Sequence, residues 1–374
     1  MRTGNGRSSG VAARWLRGCG PVLVLLLGLA GCVGVGPGTV GRDRFDYSEA
    51  IADSWKSQML LNLVKLRYGD TPIFLDVGQI VSGYTVQSTF SALGSAFNTS
   101  GVVPGVPNGS VSLGAQGQFI DRPTITYAPL AGERFARSLM TPIPPPALMS
   151  LIEAGYPVDV VLRLTTDGVN GLRNRVGGDL RARPADPAFY VLLDRLRRTQ
   201  LSGAIGMRVQ RSQGNEAMLM TLQQRADPDV AANTQVIRQL LGLDPNAREF
   251  RVVYGATAAN NREIAVLSRS VLLILVDLAS SITVPEAHVA DQRVTPTAEP
   301  EVGPGGPLRP LIRVGSSLER PADAFVAVPY RGYWFWIDDR DMPSKRVFSF
   351  MHFIFALTET GSKEGMPVVT IPTG

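Results

Sequence analysis

Apolar and polar residues recur along the chain with two different periods, and each period predicts a different kind of element. The longest helical pattern runs from Ser48 to Tyr68, where apolar residues recur every three or four positions, at Ile51, Trp55, Met59, Leu63 and Leu66. Ser48 is a suitable N-cap residue, and Gly69 comes just after the last helical residue. We expect a long, well-buried helix here.

Two stretches with a period of two predict a long β-hairpin over residues 84–119. Apolar and small polar residues alternate from Val86 to Ala96 and again from Val111 to Phe119, on either side of a Gly/Pro/Asn loop. Such a hairpin could cover its own domain. It would also suit an outer-membrane barrel, provided that several subunits close the ring, because the edges of one hairpin would stay unpaired in lipid.

The remaining patterns predict an α+β fold in which mixed or antiparallel sheets pack against helices. Strands are expected at residues 123–127, 158–164, 204–211, 217–223, 250–254, 264–267, 325–328, 333–337 and 366–371. Helices are expected between Pro146 and Gly155, from Pro187, and over residues 228–241, 268–280 and 343–358.

Changes in composition divide the chain into five segments. They are a signal peptide (1–31), a Gly-rich flexible tether (32–44), a main α+β domain (45–289), a Pro-rich linker (290–310) and a C-terminal β-α-β unit (311–374). The last segment has a helix that is apolar on nearly all sides. We therefore expect the C-terminal strand-helix-strand unit to pack on the main domain.

The first 31 residues have the pattern of an export signal. Four arginines and no acidic residue precede a short apolar run from Pro21 to Ala30, which is about half the length that a membrane-spanning helix needs. The motif Leu29-Ala30-Gly31-Cys32 resembles the lipobox of bacterial lipoproteins. The resemblance implies that Cys32 is acylated, becomes the first mature residue and anchors the chain in membrane lipid.

The residue after the cysteine is Val33 rather than the Asp that would resemble an inner-membrane retention signal. This favours lipid anchoring in the outer membrane, with the domain facing the periplasm. The formal net charge of +5 falls to +1 when the four signal arginines are removed, so no nucleic-acid partner is expected. Cys19 and Cys32 are the only cysteines, so the mature fold would contain no disulfide.

Four further stretches resemble a group of uncharacterised bacterial outer-membrane lipoproteins. They are residues 45–68, Pro123–Tyr127, Thr141–Pro145 and Tyr333–Asp339. This resemblance covers most of the mature chain and supports the anchor and a single-family architecture. The group has no established activity, so the resemblance implies no catalytic residue and no cofactor.

The densest carboxylate cluster consists of Asp338, Asp339 and Asp341 and is a weak candidate for a divalent-cation site. Because Arg340 lies among these acids, and the spacing of a calcium loop is missing, a turn is the favoured interpretation. In that turn, Asp341 would cap the following helix. The only histidines, His288 and His352, stand in no metal or catalytic motif, and His352 is expected in the core.

An aromatic run near the C-terminus offers a second candidate site. Tyr330, Trp334 and Trp336 could form a face for a ligand or partner such as a glycan or peptide. The alternative is a core strand covered on both sides. We therefore expect a lipid-anchored envelope protein with a non-enzymatic binding or assembly role and an envelope protein partner. A homo-oligomeric pore is the alternative, and a periplasmic hydrolase is less favoured.

Overall fold

The computed structural model describes residues 37–81, 84–96, 109–121, 124–130, 132–178, 182–212, 215–223, 227–358 and 369–372, and within them the fold is α+β. The helices are α1 (Pro37–Arg67), α2 (Gly132–Met140), α3 (Pro145–Glu153), α4 (Val158–Thr165), α5 (Pro187–Leu201), α6 (Pro228–Leu241), α7 (Val271–Ser280), α8 (Glu286–Ala290) and α9 (Met342–Thr358). None of these helices combines the length and the hydropathy that a membrane span requires.

The strands are β1 (Phe74–Val81), β2 (Tyr84–Ala96), β3 (Gly109–Asp121), β4 (Thr124–Leu130), β5 (Thr166–Val169), β6 (Leu172–Arg173), β7 (Ile205–Ser212), β8 (Asn215–Leu222), β9 (Glu249–Tyr254), β10 (Glu263–Ser268), β11 (Val302–Gly303), β12 (Gly306–Pro307), β13 (Gly315–Ser317), β14 (Ala324–Tyr330), β15 (Tyr333–Asp338) and β16 (Val369–Pro372).

Most strands pair antiparallel. The largest sheet has the order β6-β5-β10-β9-β8-β7, in which only the pair of β9 and β10 is parallel. A second sheet has β15 at its centre, between β13 and β14. The other groups are β1-β4-β16, the hairpin of β2 and β3, and the short pair of β11 and β12.

The chain divides into two compact units. The smaller unit comprises residues 1–51, 78–126 and 370–374, and its main described feature is the hairpin. The hairpin pairs every residue from Tyr84↔Asp121 to Ala96↔Gly109 without a register shift. This register aligns Ala92 with Leu113 and Thr89 with Gln116, so many pairs match in polarity, whereas Thr85↔Ile120 and Leu93↔Ser112 pair a polar residue with an apolar one.

The larger unit comprises residues 52–77 and 127–369 and contains the main hydrophobic core. The helices and both sheets of this unit contribute fully buried residues to the core. They include Leu63 of α1, Phe189 of α5, Phe250 of β9, Ile274 of α7 and Phe335 of β15. The core therefore joins both sheets of this unit through the helices between them.

The end of α1 is fixed by residues far away in the sequence. The Arg67 guanidinium donates to the carbonyl oxygens of Thr295 (2.6 Å) and Pro296 (2.9 Å). The Tyr68 hydroxyl lies 2.7 Å from Nδ1 of His288, and the Tyr330 hydroxyl donates to the Asp70 carboxylate. Residues 295–296, in the segment interpreted as a linker, are thus bonded to the first long helix.

Helix α1 begins earlier than expected. It starts at Pro37, inside the stretch predicted to be a flexible tether, rather than at Ser48. Ser48 lies within the helix, where its hydroxyl donates to the Arg44 carbonyl at 2.6 Å, so the prediction that Ser48 is the N-cap is wrong. Proline at the first helical position is favourable, because its fixed φ suits a helix and its missing N–H would be unpaired there.

Residues 158–164, predicted to be a strand, form helix α4 instead. Val158, Val161, Leu162 and Thr165 are buried with helical spacing, which the run of β-branched residues had obscured. Most other elements fall where they were expected. Asp227 caps α6 by accepting from the Asp229 N–H (2.9 Å), and Ser270 caps α7, two residues after the start at residue 268 that the sequence predicted.

Candidate functional site

An apolar groove of about 850 Å³ lies in the larger unit. Three segments line it: residues 154–163 at the junction of α3 and α4, residues 309–311, and one side of α9, with Phe325 of β14 beside them. The volume lies within the usual range for small-molecule sites, about 300–1,000 Å³.

Helix α9 gives the groove its direction. Six of the eight α9 residues in the lining recur every three or four positions and form one stripe, namely Met342, Lys345, Arg346, Ser349, Phe350 and Phe353; Pro343 and Val347 complete the α9 lining. The cations stand near the start of this stripe and the aromatic rings stand one to two turns later. Arg346 and Phe353 are separated by about 10 Å along the helix axis, at about 1.5 Å per residue.

The aromatic end of the groove is built around Tyr156. Its ring packs against Phe350 with centroids 4.6 Å apart and against Phe353 at 6.2 Å. Phe350 is buried, whereas Phe353 keeps 51% of its surface exposed. Val160 and Leu311 add aliphatic surface, so this end offers contacts to a hydrocarbon chain or ring.

The other end of the groove is cationic. Its charged lining residues are Arg163, Arg309, Lys345 and Arg346, and no carboxylate side chain lines the groove among the described residues. Arg309 is paired with Asp341, and Lys345 with Asp339 at 2.5 Å. Among the described ion pairs, Arg163 and Arg346 have no carboxylate partner, although the Arg163 guanidinium stands 5.9 Å from the ring centre of Tyr190.

A second charged cluster lies inside the same unit and has a structural role. Arg269 is 1% exposed; its Nε lies 2.7 Å from Asp167 and its Nη1 3.2 Å from Asp277, which is 7% exposed. Asp277 also accepts from the Gly177 N–H at 2.6 Å. A Cβ on residue 177 would come within 2.7 Å of the Asp277 carboxylate and 2.3 Å of the Ser280 hydroxyl, so any other residue there would displace these two side chains. The cluster ties β5, which contains Asp167, and α7, which contains Asp277, to Gly177 and to Arg269 just after β10.

The predicted carboxylate cluster forms a turn in which each acid is paired. Asp338 accepts from the Arg340 N–H, and Asp339 pairs with Lys345. Asp341 accepts from the Ser344 N–H at 3.0 Å and so caps α9. Burial opposes ionisation of Asp341, but its bonds with Ser344 and Arg309 prevail and hold its pKa below the usual range. The described residues contain no group of three His, Cys, Asp or Glu side chains that could hold a metal ion.

The predicted aromatic face is divided between the two sides of β15. Phe335 and Ile337 are fully buried, whereas Trp334 and Trp336 are only partly buried, so the strand is not covered on both sides. The register pairs Tyr330 with Tyr333 and Pro329 with Trp334, which places Tyr330 on the opposite side from the tryptophans. The three residues therefore do not form one surface.

Both tryptophans make local contacts on their side of the sheet. The indole N–H of Trp336 donates to Ser317 at 3.1 Å, and its ring lies close over Gly315. The Arg320 guanidinium stands 5.6 Å from the ring centre of Trp334. Tyr330 instead packs against Tyr68 at 5.3 Å on the core side.

The two histidines lie in different environments. His288 is buried against Tyr68 and Tyr333, and this burial lowers its pKa, with a further contribution from Arg293. His352 is exposed on α9 with its ring edge against Trp55, so the expectation that it lies in the core is wrong. The helix buries Phe348, Met351 and Ile354, and His352 lies one turn after Phe348, where both rings contact Trp55 at the edge of the buried face.

Leu29, Ala30, Gly31 and Cys32 lie outside the described residues, as does the hairpin loop at residues 97–108. The groove was not anticipated from the sequence, because its residues come from three distant segments. Comparison with models of protein families, with curated proteins and with solved structures finds no match to this chain.

Proposed function

We propose that the chain is a lipid-anchored envelope protein that binds a small, partly apolar anion in the groove and catalyses no reaction. The observation that carries the binding role is the groove itself. It joins an aromatic end to a cationic end, and it has no carboxylate among its described lining residues. Apolar surface would supply affinity and the cations would select for negative charge.

The proposed anchor rests on the motif that ends in Cys32. Acylation there would hold the domain at the periplasmic side of the outer membrane and concentrate it near membrane lipid. Metabolic labelling with radioactive palmitate tests the anchor. Wild-type protein should carry label and sediment with membranes, and the Cys32→Ser variant should do neither.

The binding role is tested by asking what the purified protein carries. Organic extraction followed by mass spectrometry should release a small anionic compound from the wild type. Phe353→Glu places a carboxylate at the half-exposed aromatic end and should abolish this yield. Leu318→Glu is the matched control, because Leu318 is 71% exposed and does not line the groove. Equal yields from all three proteins would contradict binding in the groove.

A pore subunit is the second candidate, and the continuous register of the hairpin favours it. We propose that several copies would each contribute β2 and β3 to a barrel wall. Lipidated protein purified in mild detergent should then form a defined oligomer and conduct ions across planar bilayers. Leu113→Arg, at an apolar position, should abolish conductance, whereas Gln116→Arg, at a polar position, should preserve it. A monomer that conducts no ions would refute this candidate.

A further inference from the structure

We propose that the ligand of the groove is a single-chain amphiphile with an anionic head group. This inference rests on the proposed binding function and specifies the class of ligand. It follows from the separation of charge and apolar surface along α9, because a ligand that matched both ends would itself have one charged end and one apolar end.

The head group would lie between α4 and the first turns of α9. Arg163 of α4 and Arg346 of α9 both line the groove, and neither is matched by a carboxylate among the described ion pairs. Guanidinium groups bind carboxylate and phosphate oxygens with paired hydrogen bonds. Arg309 and Lys345 keep Asp341 and Asp339 as partners, so we expect them to contribute less to the head-group affinity.

The chain would follow the α9 stripe toward Tyr156, Phe350 and Phe353. The exposed half of Phe353 shows that this end is open to solvent, and an acyl chain would cover it. A free energy of about 0.8 kcal/mol per buried methylene corresponds to about a fourfold gain in affinity for each carbon added. The affinity should therefore rise steeply with chain length until the groove is filled.

Calorimetric titration tests the ligand class. The protein used is the mature chain with Cys32→Ser, a substitution that leaves every described residue unchanged. Dodecanoate should bind roughly 200-fold more tightly than octanoate, since four methylenes separate them. Dodecyltrimethylammonium has the same chain with a positive head and should bind at least tenfold more weakly than dodecanoate. Dodecyl phosphate, compared with dodecanoate, tells which anionic head the site prefers.

Variants separate the two ends of the groove. A double variant that combines Arg163→Gln and Arg346→Gln should bind dodecanoate at least tenfold more weakly. It should also lose the preference for dodecanoate over dodecyltrimethylammonium. Arg340→Gln, an exposed arginine outside the groove, should leave both affinities unchanged. Circular dichroism of each variant confirms that the fold is retained.

Two results would overturn the inference. If affinity does not depend on chain length, or if the cationic amphiphile binds equally well, the ligand is of another class. The extraction experiment then shows whether the proposed binding function still holds. A different compound that is lost in Phe353→Glu would leave the binding role standing, whereas no compound and no titration signal would refute both.

Discussion

Replacing Arg269 by methionine should lower the free energy of unfolding by about 3–5 kcal/mol, the range for breaking a buried ion pair from one side. The side chain is almost fully buried and bonds with Asp167 and Asp277. In the variant, Asp277 would still accept from the Gly177 N–H (2.6 Å) and from Arg175 (3.4 Å). Asp167 is partly exposed, so water can solvate its carboxylate. These remaining contacts place the expected loss near the lower end of the range, about 3 kcal/mol.

Urea unfolding of the unlipidated mature chain, followed by circular dichroism, measures this loss. The matched control is Arg340→Met, which removes an ion pair with Asp323 whose side chains are 81% and 66% exposed. That control should change the stability by less than about 1 kcal/mol. Adding Asp277→Leu to Arg269→Met should recover none of the loss, because the Gly177 N–H and Arg175 would then lose their acceptor. Equal effects of the buried and the exposed substitution would refute the reasoning.

Three smaller perturbations follow from other contacts. His288→Gln should flatten the dependence of stability on pH, because burial lowers the pKa of His288 in the folded state. In the wild type, the contribution of His288 to the free energy of unfolding is complete above about pH 6.5 and is lost as the pH falls through the folded pKa. A series of urea titrations at different pH values measures this loss. Asp227→Ala should cost about 1 kcal/mol, the usual effect of losing an N-cap, in the same urea assay. Phe335→Ala should lower the free energy of unfolding by about 3–5 kcal/mol and Trp334→Ala by clearly less, because of these two residues only Phe335 is completely buried. Equal losses of stability in thermal melts would contradict the assignment of the two sides of β15.

The sequence predicts elements well where local signals agree with the packing. Asp186-Pro187 and Asp227-Pro228 mark the starts of α5 and α6, and the alternating pattern predicts the pairing of β2 with β3. It fails at α4, where β-branched residues favour a strand but burial on one helical face prevails. It also places the start of α1 too late, since Ser48 resembles an N-cap but bonds back to Arg44 within the helix.

The candidate site was less accessible from the sequence. Two of its walls come from segments more than 140 positions apart, and no local pattern indicates that Arg163 and Arg346 line the same groove. The buried cluster did leave one signal. Asp277 interrupts an otherwise apolar helix, and a carboxylate at such a position requires a cationic partner. Its partner Arg269 stands only eight residues earlier, so the pair could have been proposed from the sequence.

The bonds at the end of α1 have a consequence for the order of folding. Arg67, Tyr68 and Asp70 find their partners in residues 288–330, more than 200 positions later. Most of the polypeptide must therefore be available before the first long helix can dock. Closing so large a loop is entropically unfavourable and slow, and during that interval Leu63 and its neighbours would remain uncovered. A chain that emerges amino terminus first would then need a chaperone to shield this helix until its last third arrives.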